Sequence, residues 1–178
     1  VAGPSAISKH QSAVAGRSVS IAPEVRALWL RAVERVRRLM GGKPPEVQCA
    51  ALPWRRTEDG RIEVMIATSR DTGRWVLPKG WPHKRLTLDQ SAAQEAYEEV
   101  GVVGDIAKEP FGTYMYSKGL DNGLSKRVQV AVFPMEVRGQ LDEWPEQGQR
   151  RVAWVDALEA ARLVDEPELS GLLRKFRG

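Results

Sequence analysis

Apolar positions recur along the chain with two different periods, and the changes of period mark its elements. From Pro23 to Met40 the residues Val25, Leu28, Trp29, Ala32, Val33, Val36 and Leu39 return every three or four positions. That spacing predicts an amphipathic helix, with Pro23 near its start and Gly41-Gly42 past its end. Lys43-Pro44-Pro45 then reads as a stiff linker. Beyond it the period falls to two, predicting strands over 47–54 and 61–69 with a turn at Glu58-Asp59-Gly60. A short strand over 74–77 leads into Pro78-Lys79-Gly80. The helical period then returns at Leu88, Ala92, Ala93, Ala96 and Val100, where Thr87 and Gln90 form a capping box and Gly101 can end the helix. Strands are expected over 111–117 and 125–135 around an Asp121-Asn122-Gly123 turn, and over 152–155. Asp156 caps a helix through Arg162, and Pro167 opens another whose Leu169, Leu172, Leu173 and Phe176 form a buried stripe. The expected class is α/β, with an N-terminal arm over 1–45 and one folded domain over 46–178.

Composition changes this picture mainly in the arm. Residues 1–45 carry eight Lys and Arg against two Glu, a net +6 that leaves −2 for the remainder of a +4 chain. Arg31, Arg35, Arg37 and Arg38 line the polar face of the first helix and could meet nucleic acid, anionic lipid or polyphosphate. No base-stacking or groove-entering motif accompanies them, which argues against nucleic acid. The blander expectation is that they are solvated while the apolar stripe packs on the domain or on a second copy in a homodimer. A lone Cys49 excludes an intramolecular disulfide and a cysteine-rich zinc site. No run has the roughly 18 apolar residues of a membrane span. Residues 1–20 lack the apolar core of a secretory signal, although their Ser, Ala and Arg content without acids distantly resembles a transit peptide. The expected location is the cytoplasm.

The chemistry is concentrated between Pro78 and Val102. Glu95, Glu98 and Glu99 stand at i, i+3 and i+4, on one helix face, where each like-charge pair costs about 0.2–0.5 kcal/mol. A solvated acidic face is the common meaning of such a run. A hard divalent cation would reverse the sign of the interaction, since Mg²⁺ takes one or two carboxylates together with waters and substrate phosphates.

Gly80, Glu95, Glu98, Glu99, Gly101 and Val102 together resemble the box of the Nudix family, G-x5-E-x7-R-E-U-x-E-E-x-G-U with U apolar. Leu86 stands where that pattern has its first glutamate and Gln94 where it has arginine. The family arginine orients a neighbouring carboxylate by a charge-assisted hydrogen bond, which a neutral glutamine reproduces only in part. Ser69-Arg70, Gly73-Arg74-Trp75, Leu77-Pro78-Lys79-Gly80, the run from Asp142 to Glu146, and Trp154 further resemble the branch of diphosphoinositol polyphosphate and diadenosine polyphosphate phosphohydrolases, over about residues 46–176.

The resemblance implies an α/β/α sandwich with a mixed sheet and Mg²⁺-dependent hydrolysis of a phosphoanhydride, with Mn²⁺ as an alternative metal. The substrate would be a small phosphorylated molecule, either nucleoside diphosphate-linked or a polyphosphate of the dinucleoside or diphosphoinositol kind. It assigns metal to Glu95, Glu99 and the Gly80 backbone, and to Glu98 either the role of water-activating base or a further metal. Ser69, Arg70 and Arg127 would bind substrate, and Lys79, Lys84 and Arg85 surround the expected phosphate position. Outside the box, Asp142, Glu143 and Glu146 are candidates for a further acidic ligand. His83 has no carboxylate partner in the pattern, and Trp81 either stacks on a base or covers a core edge. The competing expectation, carried by Gln94, is a weak or inactive module that binds a phosphorylated ligand and regulates a partner.

Overall fold

The structure, a computed structural model, describes residues 32–33, 35–36, 39–41, 43–119 and 124–178. β1 (Glu46–Arg56) is central because the run from Gln48 to Pro53 is buried on both faces. It lies parallel to β7 (Ser125–Gln140), from Glu46↔Val128 to Trp54↔Glu136. At its far end it pairs antiparallel with β2 (Ile62–Thr68) through Trp54, Arg55 and Arg56. The two strands then splay, and the chain after β2 enters the gap as β3 (Trp75–Val76) on β2 and β4 (Lys79–Gly80) on β1. β2 also pairs with β8 (Val152–Asp156). β7 carries β6 (Gly112–Gly119) along its first half and β5 (Val102–Ile106) along its second. Pro134 falls where β7 passes from one partner to the other, so its missing N–H breaks neither ladder.

Alternation along these strands separates two cores. Cys49, Ala51, Met65, Ala67, Ala131, Phe133 and Met135 face α1 (Leu88–Val100), which covers them with Ala92, Ala96 and Val100. Ala50, Leu52, Val64, Ile66, Val128, Val130 and Val132 face α2 (Ala157–Leu163) and α3 (Pro167–Lys175) on the other side. The small residues of α1 let it lie close to the sheet, and the result is the expected α/β/α sandwich with a mixed sheet.

From residue 46 onward the expected elements are present: β1, β6, β7 and β8 run longer than expected, β7 five residues past Met135, while β2 and β3 are shorter. Sequence reading missed β4, which has only two residues, and β5, whose pairing is shifted at Val103/Gly104. The turn at 121–123, residues 1–31 and Arg37 and Arg38 of the basic face lie outside the described residues. Ala32, Val33, Arg35, Val36 and Leu39 are helical. Of the apolar stripe, Val33, Val36 and Leu39 are 41%, 55% and 83% exposed, so this part does not pack on the domain. Among the described residues no helix is long and apolar enough to cross a membrane.

α1 begins at Thr87, whose N–H donates to Gln90 Oε1 at 3.1 Å. It ends at Gly101, which has φ 68° and donates its N–H to the carbonyls of Ala96 and Tyr97. A side chain at Gly101 would also put its Cβ within 2.5 Å of the Trp144 ring. Gly101→Ala is therefore expected to destabilise the fold by about 1–3 kcal/mol, from the left-handed backbone alone, with more from the clash. Thermal unfolding measures it, and an unchanged midpoint would refute this account of the helix end.

Candidate active site

The splay of β1 and β2 brings the 78–80 segment beneath α1. Pro78 O accepts from Ala51 N–H at 3.1 Å, which fixes Lys79 and Gly80 in the sheet. A Cβ on Gly80 would lie 1.9 Å from Glu95 Oε1, so any side chain there would displace that carboxylate from its place against the 79–80 backbone. The Gly80 carbonyl has Cys49 Sγ 3.8 Å away as a weak donor.

The three helix glutamates are held by different partners. Glu99 is buried, with Oε2 accepting from Lys79 N–H at 3.2 Å and Oε1 accepting from Arg150 Nη2. Burial pushes its carboxyl up to about 7, against the opposing pull of Arg150 and Lys79. Glu95 is raised by burial and then by the nearby Glu98 charge. His83 Nε2 lies 3.6 Å from Glu95 Oε1, which corrects the expectation that this histidine has no carboxylate partner. Glu98 accepts from Gln94 Nε2 at 2.6 Å, so the residue at the arginine position does orient a carboxylate.

The segment between β7 and β8 completes the wall. Trp144 packs over Gly101, and Glu146 N–H donates to Glu98 O at 3.0 Å. Arg150 Nε donates to Glu146 Oε2 at 3.1 Å and Nη1 to Thr68 O at 3.2 Å. Arg70 also pairs with Glu146, at 3.0 Å. Of the three acidic candidates outside the box, Glu146 alone lines the cleft.

That cleft has a volume of about 420 Å³ and brings together Ser69, Arg70, Lys79, Gly80, Glu95, Glu98 and Glu99. Trp81 lines it as well, with Lys118 Nζ 5.8 Å from its ring centroid. Arg127 is not in the lining. It lies on β7 opposite Ser117 and donates to Lys43 O. Lys84 and Arg85 are exposed and also outside the lining. Sequence reading missed Arg74, Tyr116, Lys118 and Arg150, each of which lines the cleft. Arg150 sits in the run Gln147-Gly148-Gln149-Arg150-Arg151, where nothing separates a buried guanidinium from a solvated one.

The donor set is carboxylate and carbonyl oxygen, which suits a hard divalent cation such as Mg²⁺ or Mn²⁺, and the room kept by Gly80 fits the same use. Among the described residues no three His, Cys, Asp or Glu side chains stand in ready ligand geometry. Each carboxylate is instead held by donors of the protein.

No protein-family model matches the chain. It is 30% identical over 121 residues to Nudix hydrolase 16, mitochondrial, of Arabidopsis thaliana, covering 66% of this chain and 67% of that protein. The chain belongs to the Nudix hydrolase family. It is also 28% identical over 123 residues to Nudix hydrolase 13, mitochondrial, of the same plant, covering 66% of this chain but 61% of the relative's length. Among solved structures, the Ap4A hydrolase of C. elegans in a binary complex superposes with a TM-score of 0.55 at 21% identity, over 74% of this chain and 94% of that one. This last likeness is one of fold.

The raised carboxyl of Glu99 sets a pH dependence. A carboxyl raised from 4.5 to about 7 in the folded state contributes stability that is fully present below about 4.5 and is lost as pH rises through about 7. In chelator, thermal stability is expected to fall between these limits, and Glu99→Gln to flatten the fall. An equally steep fall in that variant would remove Glu99 as its source.

Proposed function

We propose that this Nudix chain is a divalent-metal-dependent phosphoanhydride hydrolase. Its substrate would be a small molecule carrying a diphosphate or longer polyphosphate, nucleoside-linked or of the diphosphoinositol kind. The observation that carries the reading is that one cleft is lined both by carboxylates, Glu95, Glu98, Glu99 and Glu146, and by cationic side chains, Arg70, Arg74, Lys79 and Lys118. The relatives named hydrolases and the neighbour named an Ap4A hydrolase support the same chemistry.

Glu95, Glu99 and the Gly80 carbonyl would hold Mg²⁺ or Mn²⁺, which when bound neutralises charge on the phosphoryl oxygens and makes water a better nucleophile. Glu98, oriented by Gln94, is the group that takes the proton from the attacking water. Arg70, Lys79 and Ser69 bind the phosphates; burial lowers the pKa of Lys79, and an anionic phosphate beside it would favour its charged form again. Gln94 hydrogen-bonds Glu98 but brings no charge to it, so the regulatory-module alternative rests on that missing charge alone. The lone cysteine fits a reducing compartment, which leaves both the cytoplasm, our expectation, and the mitochondrion for which the two plant relatives are named. Fractionation of cells expressing the protein would decide between them.

Two experiments test the reading. A panel of dinucleoside polyphosphates, nucleoside diphosphate sugars, nucleoside triphosphates and inositol pyrophosphates is expected to yield at least one substrate cleaved only with Mg²⁺ or Mn²⁺. On it, Glu99→Gln should lower kcat by about 100-fold or more, given that loss of even an outer-shell partner typically costs 10–100-fold. Full turnover in that variant would defeat the metal assignment. Gln94→Arg replaces a neutral donor to Glu98 with a charged one, and is expected to raise kcat by a few-fold with little change in KM. Unchanged stability with unchanged or lower kcat would mean that position 94 does not limit the reaction.

A further inference from the structure

The Nudix pattern places an arginine where this chain has Gln94, and Gln94 reaches Glu98. Glu99 is nevertheless bound by a guanidinium, from a different part of the chain. We infer that Arg150 is the positioning residue for Glu99, supplying from the segment before β8 the charge-assisted hydrogen bond that the helix itself lacks.

Three observations carry this. The Arg150 side chain is only 6% exposed, so its charge is committed to protein acceptors. Its fork meets three of them in different directions: Glu99 Oε1 from Nη2, Glu146 Oε2 from Nε and Thr68 O from Nη1. A lysine, with one nitrogen, cannot span that set. Glu99 is thereby held at both oxygens, since Oε2 accepts from Lys79 N–H, and each oxygen keeps a second lone pair for a metal. The segment that carries Arg150 has its own anchors on α1, Glu146 N–H on Glu98 O and Trp144 over Gly101, so a tether alone would not require the contact with Glu99. The same guanidinium joins Glu99 to Glu146, which pairs onward with Arg70 at the cleft wall. A continuous chain of ion pairs thus links Glu99 to a proposed phosphate-binding residue.

The assignment rests on the hydrolase reading of the cleft, and its test keeps the two separable. Arg150→Met and Arg150→Lys are made in the full chain, with thermal stability in chelator, Mn²⁺ affinity by electron paramagnetic resonance, and kcat and KM on the best panel substrate. Arg150→Met is expected to weaken Mn²⁺ binding and lower kcat, each by about 10–100-fold, with KM little changed, and Arg150→Lys to recover part of both losses. Lower thermal stability with Mn²⁺ affinity and kcat intact would make Arg150 a tether only and overturn the proposal. Tighter Mn²⁺ binding would make it a competing charge, and a raised KM at constant kcat a substrate contact; either also overturns it. If Arg150→Met does not fold, Arg150→Lys read by the same titration decides. A wild-type chain that binds Mn²⁺ but cleaves nothing on the panel would defeat the hydrolase reading, while the Mn²⁺ titration would still decide the role of Arg150.

Discussion

Three carboxylates on adjacent turns of one helix repel each other, and here they are also partly withdrawn from water, which raises the cost of ionising them. Glu99 and Glu95 both bear that cost as raised pKa values. The surroundings are arranged around this constraint. A backbone N–H and a guanidinium hold Glu99, an imidazole stands beside Glu95, and a side-chain amide holds Glu98. None of these donors satisfies more than one of the helix glutamates. The cluster is therefore positioned piece by piece, with its remaining lone pairs left for a cation.

The sheet makes this arrangement possible by failing to be regular. Had β1 and β2 paired along their full lengths, Lys79 and Gly80 would have had no edge to join. Because the strands part, a two-residue strand fits between them, and its backbone is presented to α1. The lack of a side chain at Gly80 admits Glu95, and the N–H of Lys79 reaches Glu99. On the other side, α2 and α3 bury a separate apolar layer and leave the α1 face to the chemistry.

Much of this was legible in the sequence where the signal was local. The capping box, the apolar stripe and the terminal Gly101 of α1 are encoded within the helix and its immediate flanks, and the glutamate spacing follows from the helix. What was illegible depends on contacts between distant segments. β5 has a glycine and a register shift in place of clean alternation. His83 and Arg150 lie 12 and 51 residues from the carboxylates they meet. Arg127, which the resemblance assigns to substrate, lies on β7 outside the cleft lining and donates to the Lys43 carbonyl.

The two departures from the box differ in physical weight. Leu86 lies in the loop before α1 and is 40% exposed, so the missing carboxylate there removes a charge from the surface of the site rather than from its buried part. Gln94 lies on the helix and within hydrogen-bonding distance of Glu98, so its neutrality acts directly on the cluster. A neutral donor leaves the net charge of the triad unreduced, and in a site that is partly desolvated an uncompensated charge is expensive. Arg150 supplies that missing positive charge, at Glu99 instead of Glu98. The loss of a charge at one position in the helix and the burial of one from another segment are then parts of a single electrostatic balance.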